Sequence, residues 1–170
     1  MHEDEDYPVG TGTPISAAEI AAAWRRELPD APTSSIEVIT PLWQAAKRLA
    51  DDRRRTLARI GVEPATLDLL STLRRAGPPY ELTSRQLTAR SLVTAGAISQ
   101  RLARAEQAGW ITRSPSDASR RAVAVTLTAD GHALIEATVR DLLTHEETLV
   151  ADLTDHERRT LSRLLDRLGH

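Results

Sequence analysis

Arginine side chains dominate one stretch of the chain, and arginine is well suited to binding phosphate. Its guanidinium group stays charged in proteins and can make two parallel hydrogen bonds to one anion. The stretch from Thr83 to Leu127 carries two acids, Glu106 and Asp117, against seven arginines: Arg85, Arg90, Arg101, Arg104, Arg113, Arg120 and Arg121. This local net charge of +5 lies in a chain whose net charge is −2. The pattern predicts a basic surface that attracts a polyanion such as DNA.

Other kinds of chemistry find little support in the sequence. The chain has no cysteine, which excludes disulfides, thiolate nucleophiles and thiolate metal sites. Its five histidines lack metal-binding spacing, and no glycine-rich phosphate loop or serine-nucleophile motif occurs. We therefore expect neither an enzyme nor a bound cofactor. No apolar run approaches the roughly 20 residues of a membrane helix, and the N-terminus is acidic, so we expect a cytoplasmic protein without a membrane partner.

A helix predicted to begin after Thr94, its N-cap, should present part of the basic stretch. At about 100° per residue, Ile98, Leu102 and Ala105 fall on one arc, which should pack on the preceding helices. The opposite arc carries small, amide or guanidinium groups, those of Gly96, Gln100, Ala103, Arg104 and Gln107. Small residues let a helix approach the floor of a DNA groove, while Gln can pair with adenine and Arg with guanine or phosphate. Arg101 lies between the two arcs and needs a different role.

Two short strands, WIT and AVAVTLT, flank a Ser/Pro/Asp turn and predict a hairpin with Arg120 and Arg121 at its tip. Such charges can be solvated turn residues. After a helix-turn-helix, however, arginines on a wing can enter the minor groove, whose negative potential attracts them. The predicted DNA-contacting residues are Thr94, Gly96, Ala97, Gln100, Arg104, Arg120 and Arg121.

The surrounding elements predict a mainly α (α+β) fold, a winged helix-turn-helix with N- and C-terminal dimerisation helices. Residues 1–14 form an acidic tail that we expect to be disordered. Residues 15–60 should form an N-terminal helix and a long helix, residues 61–127 the DNA-binding domain, and residues 128–170 two C-terminal helices. The outer helices are too apolar to be linkers, so we expect them to pack against a second copy of the chain.

Local signals place the boundaries of these elements. Ser16 with Glu19, and Thr154 with Glu157, are predicted capping boxes at the starts of the first and last helices. Pro41 should start or kink the long helix. The segment GPPYE is predicted as a turn, and the next short helix is expected within LTSRQLTARS, capped by Thr83 or Ser84.

The span from LDLLSTLRRAGPPYELTSRQL through AISQRLARAEQAGWITRSPSDASRRAVAVTLTADG resembles the winged helix of the multiple-antibiotic-resistance regulator (MarR) family. The likeness covers about residues 36–151 and includes the GPPY-ELT turn, the LxRxExxGW end of the recognition helix, the Arg-Arg wing and the VxLTxxG exit. It implies a homodimer that binds a palindromic double-stranded DNA operator and is released by a small, often aromatic and anionic, ligand. One departure is Ser119, where the family wing usually has an aspartate; Asp117 is the alternative brace.

A narrower likeness concerns the extra N-terminal helix with WRRELPD, followed by SSIEVI, which resembles the urate-responsive branch of that family. It implies a ligand site made of Trp24, Asp68, Arg101 and Arg113, with Ser99 as a further candidate. A planar purine anion suits a stacking ring and guanidinium partners, and Asp68 can hold an arginine or accept a ring N–H. Each residue also has an ordinary alternative: packing for Trp24, a solvated acid for Asp68, and a phosphate contact for Arg113.

Together these patterns predict a ligand-responsive transcriptional regulator, a repressor, with urate or a related purine as its effector. Two alternatives stay open. The effector can be a phenolic or antibiotic-like molecule, or the chain can be a winged-helix adaptor or sensor without an effector.

Overall fold

The computed structural model describes residues 15–91, 94–116 and 119–168, with only the backbone of Ala95, Ser119, Arg120 and Arg121. The predicted acidic tail, residues 1–14, lies outside the described residues. The elements are α1 (Ala17–Glu27), α2 (Ile36–Ile60), α3 (Pro64–Arg75), β1 (Glu81–Thr83), α4 (Ser84–Arg90), α5 (Ala95–Gln107), β2 (Ile111–Ser116), β3 (Ser119–Leu127), α6 (Ala129–Leu149) and α7 (Asp155–Leu168). The prediction of a mainly helical fold with a small sheet is confirmed.

The chain divides into two compact units, residues 1–52 and 53–170, with the division inside α2. In the first unit, α1 begins with the predicted capping box: Ser16 Oγ accepts from the Glu19 amide, and the Glu19 carboxylate accepts from the Ser16 amide. α2 begins at Ile36 and continues through Pro41. The proline removes one main-chain hydrogen bond without ending the helix.

Leucine and isoleucine side chains from α3, α4 and α5 form the core of the second unit. Leu70, Leu73, Leu87 and Ile98 are among its most buried residues. α3 begins at Pro64, which is favourable at a first helical position because its missing N–H would have no partner there. This packing places α5 with one face in the core and the other at the surface.

The sheet has the strand order β1-β3-β2, and both pairings are antiparallel. Here the sequence-based boundaries were wrong, because Glu81 to Thr83 form a strand and not the end of a turn and the start of a helix. The strand exists because Leu82 pairs with Val125 and both side chains are buried. Three residues are too few to show an alternating pattern, so only the distant partner defines the strand. The Thr83–Gln86 capping box then begins α4.

The turn between α5 and β2 packs closely against the start of α6. Gly109 has a φ of +77°, which favours glycine. The Thr128 side chain caps α6 and donates to the Gly109 carbonyl at 2.7 Å, while the Thr128 amide donates to the Trp110 carbonyl at 3.1 Å. At Gly131 a Cβ atom would lie 2.0 Å from that same Trp110 oxygen. A side chain at Gly131 is therefore incompatible with this contact.

The last helix, α7, begins with the predicted Thr154–Glu157 capping box, in which the Thr154 amide donates to the Glu157 carboxylate at 2.8 Å. This hydrogen bonding lowers the pKa of Glu157. None of the residues of α7 is buried. Its exposed leucines repeat at three- and four-residue spacing: Leu161, Leu164, Leu165 and Leu168. α7 thus presents an apolar stripe that the second unit leaves open.

Candidate DNA-binding surface and ligand cleft

α5 has the two faces that the sequence predicts. Thr94 caps it, with its hydroxyl accepting from the Ala97 amide at 3.3 Å. Ile98, Leu102 and Ala105 are buried. On the other face Gly96, Ala103 and Gln107 are exposed, as are three of the residues predicted to contact DNA, Thr94, Gln100 and Arg104, whereas Ala97 is half-buried.

The exposed face of α5 has the chemistry needed to read a DNA groove. A Cβ atom at Gly96 would have nothing within 4 Å, so the first turn of the helix is open to an approaching molecule. Further along the helix, Gln100 offers a donor and an acceptor, and Arg104 offers a guanidinium. These groups can contact base edges or phosphates once the helix enters the major groove.

The wing is longer than the sequence predicts. β2 extends to Ser116 and β3 begins at Ser119, so the backbone of Arg120 and Arg121 belongs to a strand close to the tip. The tip itself, Asp117 and Ala118, lies outside the described residues, and so does the predicted bracing role of Asp117. The pairing register shifts between Pro115 and Ser116, where a β-bulge or irregularity interrupts the ladder.

Two of the predicted ligand residues, Asp68 and Arg101, meet across a cleft of about 370 Å³. The Arg101 Nη1 atom lies 3.6 Å from Asp68 Oδ2, and the two side chains are 22% and 64% exposed. Arg53 and Glu146 also line the cleft and pair with each other at 2.6 Å. Arg75 and Arg90 bring the lining to four arginines against two carboxylates, a net charge of +2. The cleft is therefore positive.

The apolar part of the lining comes from Leu67 of α3 and from three residues of α6, Val139, Leu142 and Leu143. A positive cleft with apolar lining residues suits a planar organic anion, because the apolar side chains contact the ring while guanidinium groups bind the charge. The position of Arg101 explains why its helical angle fits neither face of α5: its side chain points towards α3.

The other two predicted ligand residues of the second unit, Ser99 and Arg113, line a different groove. This groove, of about 630 Å³, lies between α4, α5 and the hairpin, and Arg85 also contributes to it. Ser99 and Arg101 are two positions apart, about 200° around the helix, so they point to different sides. The structure thus groups Asp68 with Arg101, and Ser99 with Arg113.

Arg113 is held by Glu106, a residue that the sequence-based site did not include. The Arg113 Nε atom donates to Glu106 Oε2 at 2.8 Å, and an Nη atom donates to the same oxygen. The hydrogen bond from Arg113 lowers the pKa of Glu106, and the carboxylate raises the pKa of Arg113 in turn. A signal was present in the sequence, since Glu106 is one of only two acids in the basic stretch.

Trp24, the remaining predicted ligand residue, lies in the first unit on α1 and is 48% exposed. The next residue, Arg25, ties α1 to the following segment through the Thr33 hydroxyl at 3.4 Å and the Glu37 carboxylate at 4.0 Å. An exposed indole is available for stacking.

Within residues 15–91, 94–116 and 119–168, no three His, Asp or Glu side chains form a group that could hold a metal ion. None of the helices in that part of the chain combines the length and apolarity needed to cross a membrane.

Comparison with known proteins supports the geometry of the winged helix. A sequence model described as MarR family matches residues 60–122. The chain is 32% identical over 104 residues to the HTH-type transcriptional repressor Mb2911 of Mycobacterium bovis, covering 61% of this chain and 75% of the repressor. It is 29% identical over 154 residues to the HTH-type transcriptional regulator PecS of Dickeya dadantii, covering 91% of this chain and 93% of PecS.

A solved structure agrees with these matches. The crystal structure of an E. coli MarR mutant complexed with operator DNA is similar at a TM-score of 0.61 and 28% identity, covering 76% of this chain and 94% of that one. Mb2911 and PecS are both HTH-type transcriptional regulators. With the exposed recognition helix and the hairpin described above, these similarities establish that the chain belongs to the MarR family of DNA-binding transcriptional regulators.

Proposed function

We propose that the protein is a homodimeric, cytoplasmic repressor that binds a palindromic operator and is released by a planar anionic ligand, urate or a related purine. The exposed face of α5 supports DNA recognition through Thr94, Gly96, Ala97, Gln100 and Arg104. Arg120 and Arg121 of the wing are proposed to enter the adjacent minor groove, where the negative potential attracts arginine.

The open leucine stripe of α7 supports the homodimer. A helix that buries none of its residues within its own chain gains stability by packing against a partner, and a second copy is the common partner in bacterial regulators. In such a dimer the two α5 helices enter successive major grooves, so their separation must match roughly 34 Å, one helical turn of DNA.

The cleft between Asp68 and Arg101 is the observation that carries the ligand proposal. Its volume of about 370 Å³ falls in the range of small-molecule sites, and its net charge and apolar lining residues suit a planar anion. In this cleft Arg101 would bind the anion, and Asp68 would orient Arg101 or accept a ring N–H. For Arg113, Ser99 and Trp24, a ligand contact rests on the family resemblance. Arg101 belongs to the recognition helix itself, which supplies a direct route from ligand to DNA.

Release requires that the ligand bind one arrangement of the dimer better than the other. A ligand that binds more tightly to an arrangement whose α5 separation does not match the DNA shifts the population away from the DNA-binding form. The size of the shift cannot exceed the difference between its affinities for the two forms.

The test is a titration of the protein against the intergenic DNA beside its own gene, with and without urate. We expect saturable binding that competitor DNA does not remove, a dimer in light scattering, and loss of binding as urate is added. Arg101→Ala should keep DNA binding and lose the response to urate, while Arg140→Ala, which removes an exposed arginine of α6 that does not line the cleft, serves as the matched control.

Each failure has a distinct meaning. DNA binding that never responds to urate but responds to a phenolic or antibiotic-like compound would retain the regulator and change the ligand class. Absence of saturable binding would contradict the repressor and favour an adaptor or sensor without an effector.

A further inference from the structure

The ion pair between Glu106 and Arg113 connects the last turn of α5 to the root of the wing. One guanidinium group donates two hydrogen bonds to the same carboxylate oxygen, and the Nε bond measures 2.8 Å. The two side chains are 36% and 38% exposed, so the pair is partly shielded from solvent. Hydrogen bonds between two charged groups are stronger than neutral ones, and the planar guanidinium fixes their direction. The contact therefore constrains orientation as well as distance.

The strand register explains why Arg113 meets this carboxylate. Arg113 pairs with Val125, and Ile111 lies two positions before it on the same strand. Side chains directly opposite one another, or two positions apart, share one face of a sheet. Val125 and Ile111 are both buried, so Arg113 lies on the core-facing side of the hairpin, at its outer edge. An arginine in this place needs a counter-charge, and Glu106 supplies it.

Main-chain hydrogen bonds close only the inner part of this junction. The Trp110 amide donates to the Ala105 carbonyl at 2.9 Å, and the Gly109 amide donates to the Glu106 carbonyl at 2.9 Å. Beyond Ile111, β2 continues to Ser116, and β3 returns from Ser119. The Glu106–Arg113 pair ties the two elements two residues further out than the turn does. It thus restricts rotation of the hairpin about the turn.

We infer that Glu106 is a positioning residue that holds the wing in a fixed orientation relative to α5 through Arg113. The recognition helix and the root of the wing then meet DNA in a fixed relative orientation that is set before binding. A preordered wing loses less conformational entropy on binding than a loose one does. The effect on the operator rests on the proposed function, whereas the effect on the wing can be measured on the protein alone.

Hydrogen–deuterium exchange on the DNA-free protein tests the positioning directly. Glu106→Ala should raise the exchange of amides in residues 111–127 by about two- to fivefold, the range expected for loss of one partly exposed ion pair. Glu136→Ala is the matched control, because it removes a carboxylate from another 3.0 Å arginine pair, with Arg74, at 38% and 48% exposure. That control should leave the exchange of the wing unchanged, and circular dichroism should show that both variants are folded.

A double variant with the two charges swapped distinguishes loss of the ion pair from a general loss of structure. The double variant Glu106→Arg with Arg113→Glu should restore the pair and most of the protection, while Arg113→Ala alone should behave like Glu106→Ala. If the exchange of the wing is the same in Glu106→Ala and in the control, the inference is wrong.

The consequence for DNA is measured on the intergenic fragment. Glu106→Ala should weaken binding by up to about fivefold, no more than the change in the opening of the wing, and the charge-swapped double variant should recover at least half of the loss on a logarithmic scale. If wing exchange rises but affinity does not change, Glu106 does not contribute to recognition and that part of the inference is overturned. If the wild-type protein does not bind the fragment, the proposed function fails, and the exchange experiment still decides whether Glu106 holds the wing.

Discussion

Arg101 and Arg113 were both predicted to bind an anion, and their surroundings differ. Arg101 lies 3.6 Å from Asp68, whose side chain is 64% exposed. Arg113 makes two hydrogen bonds to Glu106, which is 38% exposed. An anion can approach Arg101 against weak competition from a solvated carboxylate, but it must displace a well-oriented carboxylate to reach Arg113. For the proposed ligand, this difference favours the cleft of Arg101 over Arg113, whose guanidinium is already paired with a carboxylate at the root of the wing.

The largest effect is expected where the turn between α5 and β2 packs against the first turn of α6. Gly131→Ala should lower the free energy of unfolding of the second unit by about 2–3 kcal/mol, because overpacking of this kind is costly and the new Cβ meets a backbone carbonyl, which cannot rotate away. Urea unfolding followed by circular dichroism measures the change.

Gly96→Ala is the matched control for that substitution. It also adds one methyl group to a helix, but nothing lies within 4 Å of its Cβ, and alanine favours a helix over glycine by up to about 1 kcal/mol. Its stability should be unchanged or raised, whereas DNA affinity should fall because the first turn of α5 comes near the groove. If the two variants are equally stable, the close contact at Trp110 is not constraining.

A second prediction compares two arginines of the same helix. Arg104→Ala should weaken operator binding about tenfold and, if Arg104 contacts a phosphate, lower the salt slope of log K by about one. Arg101→Ala should leave the salt slope unchanged, since that side chain points towards α3. Fluorescence anisotropy at several salt concentrations provides the measurement. Equal slopes for the two variants would remove the distinction between a DNA face and a ligand face.

A third prediction concerns competition within each pair. In calorimetric titrations with urate and DNA-free protein, Glu106→Ala should tighten binding about three- to fivefold if Arg113 contacts the ligand, and should leave it unchanged if the ligand lies only in the cleft of Arg101. Asp68→Asn should change the affinity by less than about twofold, since that pair is weak. A tenfold loss in Asp68→Asn would mean instead that Asp68 contacts the ligand directly.

The smallest effect is expected from pH. Arg113 holds the pKa of Glu106 below its ordinary value, so the pair contributes stability above the unfolded-state pKa of about 4.3 and loses it as the pH falls through the lower folded-state pKa. The stability difference between wild type and Glu106→Ala should therefore be constant from pH 8 to 5 and should shrink as the pH falls below the unfolded-state pKa of about 4.3. A difference that changes between pH 8 and 6 would point to another titrating group.

The features that sequence predicted well depend on neighbours in the chain. The capping boxes of Ser16 with Glu19 and of Thr154 with Glu157 form within three residues, so the residue types alone indicate them. The two faces of α5 follow from helical periodicity, and burial confirms them at Ile98 and Leu102.

The features that it missed depend on tertiary packing. Strand β1 requires Leu82 to meet Val125, 43 positions away, and no local signal encodes that pairing. The Glu106–Arg113 pair requires the turn geometry and the strand register together. Helical periodicity alone indicated that Arg101 fits neither face of α5. Only the family resemblance suggested that Arg101 and Asp68 belong to the same site.

The contact at Gly131 couples the orientation of α6 to the turn between α5 and β2. Twenty-one residues, Ala129 to Leu149, form this helix, which makes it about 30 Å long. Because its first turn rests on the Trp110 carbonyl without an intervening side chain, tilting α6 must also turn the junction that carries the recognition helix and the wing. A tilt of about 6° corresponds to a displacement of about 3 Å at the far end of a helix of this length. A shift near Leu149 would thereby rotate the turn that joins α5 to the wing, about a pivot at Gly131, a residue that has no side chain.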